Sequence, residues 1–201
     1  MIDLLVNEKE LYNKGYIKIA GTDEAGRGPL AGPLVASAVI LPKDIKFDNL
    51  INDSKKLTPK QREKAYYEII QKALAISTVF LTSKQVDEYN PYQASKIAMQ
   101  KAIKNLSIKP DFILTDAMPL EEKTNFLAII KGDQKSLTIA CASIVAKYQR
   151  DLYMDNLDQM YPLYDFKKNK GYPTKHHLKM LKEVGITDEH RKTYKPVKAV
   201  L

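Results

Sequence analysis

The sequence predicts an α/β protein, a mixed sheet with helices against it and a helical appendage at the C-terminal end. Three observations lead there. Two apolar strand-like segments come first, and helical and strand-like segments then alternate. Beyond Tyr161-Pro162 the strand signals stop, and basic and helical segments take over. The 201 residues, 44% hydrophobic and 28% charged, suit one well-filled domain or a domain with a small appendage. The expected division is a core over residues 1–159 and a helical segment over 160–201.

Taken in order, residues 1–15 read as a short polar lead-in. Ile17–Asp23 reads as a strand and Leu34–Leu41 as a second, apolar one. Between them Ala25-Gly26-Arg27-Gly28-Pro29-Leu30-Ala31-Gly32-Pro33 is too rich in Gly and Pro for either element. A third short strand is expected near Leu50–Ile51. Thr58, Pro59 and Gln61 form a capping box, so a helix should run from Pro59 to about Leu74. Ala75–Thr82 reads as a strand. Asn90, Pro91 and Gln93 repeat the cap logic for a helix to about Leu106. Asp111–Asp116 is an apolar strand ending in an acid, and Phe126–Ile130 is another, closed by Gly132. Leu137–Leu157 reads as a long helix. Lys167-Lys168-Asn169-Lys170 is basic, and Thr174 caps a helix to about Val184 that Gly185 ends.

Composition narrows the function. Lys plus Arg is 32 against 24 for Asp plus Glu, a net charge of +8. That fits an anionic partner, nucleic acid first. Only four of the 32 are arginine (Arg27, Arg62, Arg150 and Arg191), so a solvated lysine surface is the plain alternative. The single cysteine, Cys141, lies among apolar neighbours and reads as a small buried residue. A disulfide scaffold is excluded, and a reducing cytoplasm is expected. No apolar stretch approaches the roughly 20 residues of a membrane span. The first residues carry acid where a signal peptide carries basic charge, so a soluble, unprocessed protein without membrane partners is expected. The glycines 26, 28 and 32 do not match the dinucleotide fingerprint, and they lead into a strand. His176, His177 and His190 lack partner ligands for zinc.

The acids offer more. Asp23-Glu24 follows an apolar strand, Asp116 ends another, and Asp133 comes just after a third. Solvated charges, or a helix N-cap in the case of Asp133, are the plain alternatives. Yet ligand sites in open α/β sheets gather at the carboxyl ends of strands. Carboxylates packed bare oppose one another's ionisation, and a hard cation such as Mg²⁺ resolves the conflict. Two such ions about 4 Å apart can activate water and stabilise the leaving oxygen of a phosphodiester. Acidic strand ends in a basic chain therefore point to a metal-dependent nuclease.

Read together, several blocks resemble bacterial ribonuclease HII, the type 2 ribonuclease H. They are Gly21-Thr22-Asp23-Glu24-Ala25-Gly26-Arg27-Gly28-Pro29-Leu30-Ala31-Gly32-Pro33, Asp53-Ser54-Lys55-Lys56-Leu57, Thr115-Asp116-Ala117-Met118 and Lys131-Gly132-Asp133. Ala142–Lys147 with Arg150-Asp151, Gly171-Tyr172-Pro173-Thr174 and His190-Arg191 complete the series. The resemblance implies a ribonuclease H-like fold and an endonuclease acting on RNA within RNA–DNA hybrids. It also implies cleavage 5′ of single ribonucleotides in duplex DNA, leaving 3′-hydroxyl and 5′-phosphate ends. It puts the catalytic, metal-binding acids at Asp23, Glu24, Asp116 and Asp133, serving Mg²⁺ or Mn²⁺. It makes Gly26-Arg27-Gly28 the element that reads the 2′-hydroxyl, and Tyr172 the ring that packs at the junction sugar. The 160–201 segment would then bind substrate.

Lys55 and Lys56 precede a helix cap and suit a phosphate contact, with plain surface charge as the alternative. A monomer is expected. Thr22, Pro91 and Tyr194 depart from the family's usual residues without touching a proposed metal ligand. Type 3 relatives carry an extra N-terminal domain, and with about 16 residues before the first strand none is expected here. The alternative function is a catalytically inactive nucleic-acid-binding module of the same fold.

Overall fold

Five strands form one mixed sheet: β1 (Ile19–Ala25), β2 (Leu34–Ile40), β3 (Ala75–Leu81), β4 (Phe112–Asp116) and β5 (Phe126–Ile129). Their order is β3-β2-β1-β4-β5. The pairs β1–β2 and β2–β3 are antiparallel, and β1–β4 and β4–β5 are parallel. This computed structural model describes residues 4–120 and 125–201.

The run of β2, apolar but for Ser37, has a simple cause. All seven of its residues are buried, because helices cover both faces. On one face Val39 packs with α2 (Pro59–Lys72) and α5 (Leu137–Met160), through Ala65, Ile69, Cys141 and Val145. On the other, Ala36 and Leu34 pack with Ala94, Ala98 and Met99 of α4 (Pro91–Lys104). Cys141 is fully buried, as its neighbours in sequence implied.

Local signals set these helices. Thr58 accepts from Gln61 N–H while the Gln61 side chain accepts from Thr58 N–H. Asn90 Oδ1 accepts from the N–H groups of Tyr92 and Gln93, at 3.1 Å each. After the short α6 (Phe166–Asn169), Thr174 caps α7 (Lys175–Glu183) through His177 N–H.

The structure corrects three expectations and adds one helix. The first strand begins at Ile19, not Ile17, because the N–H groups of Ile17 and Lys18 donate to the Asp111 carboxylate. No strand forms at Leu50–Ile51. Just before it, Asp48 and Asn49 donate their N–H groups to the Glu68 carboxylate, so a side chain replaces a ladder. The lead-in contains α1 (Val6–Asn13). It is tied down by Leu11 in the core and by Glu8, whose carboxylate accepts from Ser136 Oγ, Thr138 N–H and Thr138 Oγ1 at the start of α5. Finally, α3 (Ser83–Tyr89) follows a second capping box, Thr82 with Gln85.

The helix α5 lies hard against β1. A Cβ on Gly21 would sit 2.2 Å from the Thr138 carbonyl carbon. Only glycine permits that approach, and it brings the first turns of α5 beside the acids that follow in β1.

Candidate active site

Strand register brings the first two acids together. Ile19 and Leu114 pack with Ile139 of α5, so strand alternation puts Gly21, Asp23 and Asp116 on that same face. The parallel pairing of β1 with β4 ends at Thr22 and Thr115. Asp23 and Asp116 are the next residues on each strand. Asp116 Oδ1 accepts from Gly132 N–H at 2.7 Å, which draws in the turn carrying Asp133. Lys131 enters that turn with φ 57, a left-handed conformation that reverses the chain after β5. Glu24 points to the opposite pleat of β1, yet its carboxylate still feels the charge of Asp116.

The electrostatics follow from this crowding. Burial pushes the Asp23 carboxyl well above its usual range, and the charges of Glu24 and Asp116 add to it. The Ser143 hydroxyl on α5 and Glu24 N–H hydrogen-bond to Asp23 and oppose the shift. Glu24 is raised by burial and Asp116, against the pull of Arg27. Asp133 is raised to about 6 by burial, then by Asp53 and Asp116. Lys55 lies among these acids. Burial lowers its affinity for a proton, but Asp23, Asp133, Asp53 and Asp116 together hold its ammonium charged.

Among the described residues, no three Asp, Glu, His or Cys side chains stand as a ready-made metal cage. Each acid is turned toward a protein partner instead. Asp23 takes Glu24 N–H, Glu24 takes Arg27, Asp116 takes Gly132 N–H, and Asp133 meets Asp53. The donor set nevertheless fits a hard divalent cation. It is all carboxylate, it is partly buried, and its members disfavour one another's ionisation.

The glycine-rich turn is held from behind by two arginines. Arg150 donates to Pro33 O, Ala31 O and Lys170 O, and Arg191 donates to Gly26 O, Gly32 O and Arg27 O. Both side chains are almost fully buried, and burial lowers the proton affinity of each. Gly26 has φ +97, and a Cβ there would sit 2.2 Å from Arg150 Nε. Main-chain bonds complete the clamp, with Leu30 N–H donating to Gly171 O and Gly32 N–H to Glu189 O. The 160–201 segment is thereby fastened to the turn. At the front, Arg27 donates to Ser95 Oγ and pairs with Glu24. Tyr172, 45% exposed, lies against Gly28, whose Cβ would be 3.7 Å from Tyr172 Cε1.

The structure therefore joins most of the residues singled out from the sequence. Lys55 lies among the acids, Arg27 pairs with Glu24, and Tyr172 lies against Gly28. Lys56 enters through its main chain, with its N–H donated to Asp53 O at 2.9 Å.

Comparison with known proteins shows the family. The sequence profile described as Ribonuclease HII matches residues 20–197. A ribonuclease HII from Mycoplasma mycoides is 52% identical over 194 residues, covering 96% of this chain and 92% of its own. The chain belongs to the ribonuclease HII family. The ribonuclease H2 of Pyrococcus horikoshii has a similar structure, with TM-score 0.79 and 30% identity over 92% of this chain and 97% of its own. So does the ribonuclease HII of Archaeoglobus fulgidus, solved in complex with PCNA, with TM-score 0.74 and 25% identity over 89% and 96%. The sheet is thus of the ribonuclease H type, and the protein is an endoribonuclease acting on RNA–DNA hybrids. Among the described residues no helix is long and apolar enough to cross a membrane.

Four contributors to this site were not legible as such. Asp53 is buried, accepts from Lys55 N–H and Gln134 Nε2, and raises Asp133. Ser143 bonds Asp23 and meets Ser54 Oγ at 2.9 Å. Arg150 and Arg191 stand in blocks that resemble the family, but nothing local assigned them a task. The scarcity of arginine was the usable hint, since all four arginines hold carbonyls or carboxylates through forked guanidinium groups, a task lysine does poorly.

Proposed function

We propose that this chain is a divalent-metal-dependent endonuclease that cuts RNA in RNA–DNA hybrids and also cuts 5′ of a single ribonucleotide embedded in duplex DNA. The observation that carries the reading is an adjacency. Four mutually repelling carboxylates open beside the Gly26-Arg27-Gly28 turn, and Tyr172 closes the turn's far side.

Asp23, Glu24, Asp116 and Asp133 would hold the metal. Bound there, Mg²⁺ or Mn²⁺ supplies activation of water and stabilisation of the charge on the leaving oxygen. The protein's own residues do the rest. Lys55, kept charged by the acids around it, meets the backbone phosphate. Main-chain groups at Gly26-Arg27-Gly28 approach the 2′-hydroxyl, the group that separates an RNA sugar from a DNA sugar. Arg150 and Arg191 hold that turn rigid, so its geometry exists before substrate arrives. Arg27 ties the turn to Glu24, linking sugar recognition to the acids. Tyr172 packs on the sugar or base at the junction, an aromatic contact worth about 1–3 kcal/mol.

Cleavage-site mapping tests this reading. Matched duplexes carrying one, four or no ribonucleotides are incubated with Mg²⁺, Mn²⁺ or chelator. Metal-dependent cuts 5′ of the ribonucleotide, with 3′-hydroxyl and 5′-phosphate ends, are expected on the first two and none on the third. Activity in excess chelator, or cutting of the all-DNA duplex, contradicts it.

A further inference from the structure

Two histidines outside the acidic cluster meet in a buried relay. His177, on α7, is fully buried, and His190 is 1% exposed. Their Nε2 atoms lie 3.0 Å apart. His190 Nδ1 faces Thr187 N–H at 2.9 Å, and His177 Nδ1 faces Tyr172 O at 2.9 Å.

Each end of this chain meets a main-chain group of fixed polarity. The Thr187 hydroxyl, which accepts from Glu189 N–H, faces His190 Nδ1 at 3.0 Å as a second donor. Thr187 N–H can only donate, so His190 Nδ1 accepts and the His190 proton sits on Nε2. That proton is donated to His177 Nε2. His177 then carries its own proton on Nδ1 and donates it to Tyr172 O, which can only accept. One arrangement satisfies every atom, and both rings are neutral in it. The walls agree. Tyr164 and Phe166 pack around the pair, with centroids 5.1 Å from His190 and 5.4 Å from His177.

We infer that His177 and His190 are positioning residues for junction recognition, a relay that sets the backbone of Tyr172 so that its ring stands over Gly28. The inference rests on the proposed role of Tyr172. The peptide of Tyr172 is pinned at both ends. Its N–H donates to Asn169 O, and its carbonyl also accepts from Thr174 N–H. Asn169 takes Gly171 N–H in turn, and Gly171 O takes Leu30 N–H from the glycine-rich turn. His177 is the one side chain in this set that reaches the Tyr172 carbonyl from the hydrophobic interior. Because α7 and the 187–190 turn both end on the relay, the aromatic ring and the glycine turn keep a fixed separation.

Two measurements test it on the full chain. The first is the nitrogen-15 spectrum of the histidine side chains in the free protein. His177 should be the Nδ1–H tautomer, the less common one, and His190 the Nε2–H tautomer. The opposite pair, or a charged ring near neutral pH, overturns the relay. The second is kinetic, comparing a one-ribonucleotide duplex with a uniform RNA–DNA hybrid. His177→Phe keeps a ring but loses both nitrogens. It should lower cleavage at the single ribonucleotide about tenfold, and the hybrid less. His177→Asn keeps a donor near the Nδ1 position and should recover most of that loss. In a Tyr172→Ala background, His177→Phe should cost nothing further. Equal losses for Phe and Asn, equal losses on both substrates, or a further loss without Tyr172 would reduce the histidines to packing. If Tyr172→Ala alone leaves cleavage unchanged, the sugar-packing role of Tyr172 fails and positioning by the relay fails with it. The tautomers then still report whether the relay itself exists.

Discussion

Replacing Arg191 by Met isolates the clamp behind the glycine-rich turn. The Arg191 guanidinium donates to Gly26 O at 2.7 Å, Gly32 O at 2.9 Å, Arg27 O at 3.0 Å and Tyr194 Oη at 3.0 Å. Methionine fills most of the volume and donates nothing. Arg27 O keeps the Tyr194 hydroxyl, whereas Gly26 O and Gly32 O lose these donors. An orphaned buried carbonyl costs about 1–3 kcal/mol, so the pair should cost about 4 kcal/mol. In a chain of this size that is roughly 8–16 °C in Tm. Arg191→Lys keeps the charge without the fork and should lose about half as much. Thermal melting followed by circular dichroism reads the stability. Hydrogen exchange of residues 26–33 reads whether the turn itself has loosened. An Arg191→Met protein melting within about 2 °C of the parent, with the turn still protected, would refute the clamp.

Three further outcomes follow from other contacts. Gly26→Ala should destabilise by about 2 kcal/mol or more, because φ is +97 and the methyl would meet Arg150, whereas Gly28→Ala should fold normally and place its methyl against Tyr172; denaturant titration that ranks them the other way contradicts this. His190 should make the protein acid-sensitive. Burial, then His177, lowers it to about 4 from 6.5, so the unfolded chain binds the extra proton and stability falls as pH drops through that window. Between about pH 7 and pH 4.5 the loss is about 2–3 kcal/mol, and His190→Gln should remove that share of the slope; equal slopes in urea titrations would contradict it. Asp133 works in the opposite sense. Its folded pKa of about 6 means that, without cation, stability falls as pH rises from 3.8 through 6. Millimolar Mg²⁺ should therefore raise Tm more at about pH 7.5 than at about pH 5, where protons compete for the carboxylates; a pH-independent gain places the ion elsewhere.

What could be read in the sequence was what is decided locally. The caps at Thr58, Asn90 and Thr174 act within three residues, and their helices start where those residues are. The box at Thr82 is of the same kind and was equally readable. The buried run of β2 was plain because both of its faces are covered. Distant partners were not readable. Ile17 and Lys18 look like strand until Asp111, more than 90 residues on, takes their N–H groups. Nothing in α1 announces that Glu8 would meet Ser136 and Thr138. The site divides in the same way. Acids at strand ends suggested a metal centre, and the motif resemblance named four of them. The shared row of Asp23 and Asp116 needed the register, Asp53 and Ser143 needed the packing of α5, and the arginine clamp and histidine pair needed the closed fold.

The central claim is that the carboxylates at the end of β1 and β4 perform metal-dependent cleavage. Asp116→Asn tests it most directly, because it removes one charge, keeps the side chain's size and leaves an oxygen to accept from Gly132 N–H. The measurement is single-turnover cleavage of a one-ribonucleotide duplex with Mg²⁺, with Tm recorded alongside. The account predicts a folded protein, melting at or above the parent's temperature as repulsion on Asp23, Glu24 and Asp133 eases, with cleavage lower by about a thousandfold or more. Near-parental cleavage by the folded Asp116→Asn protein would contradict it.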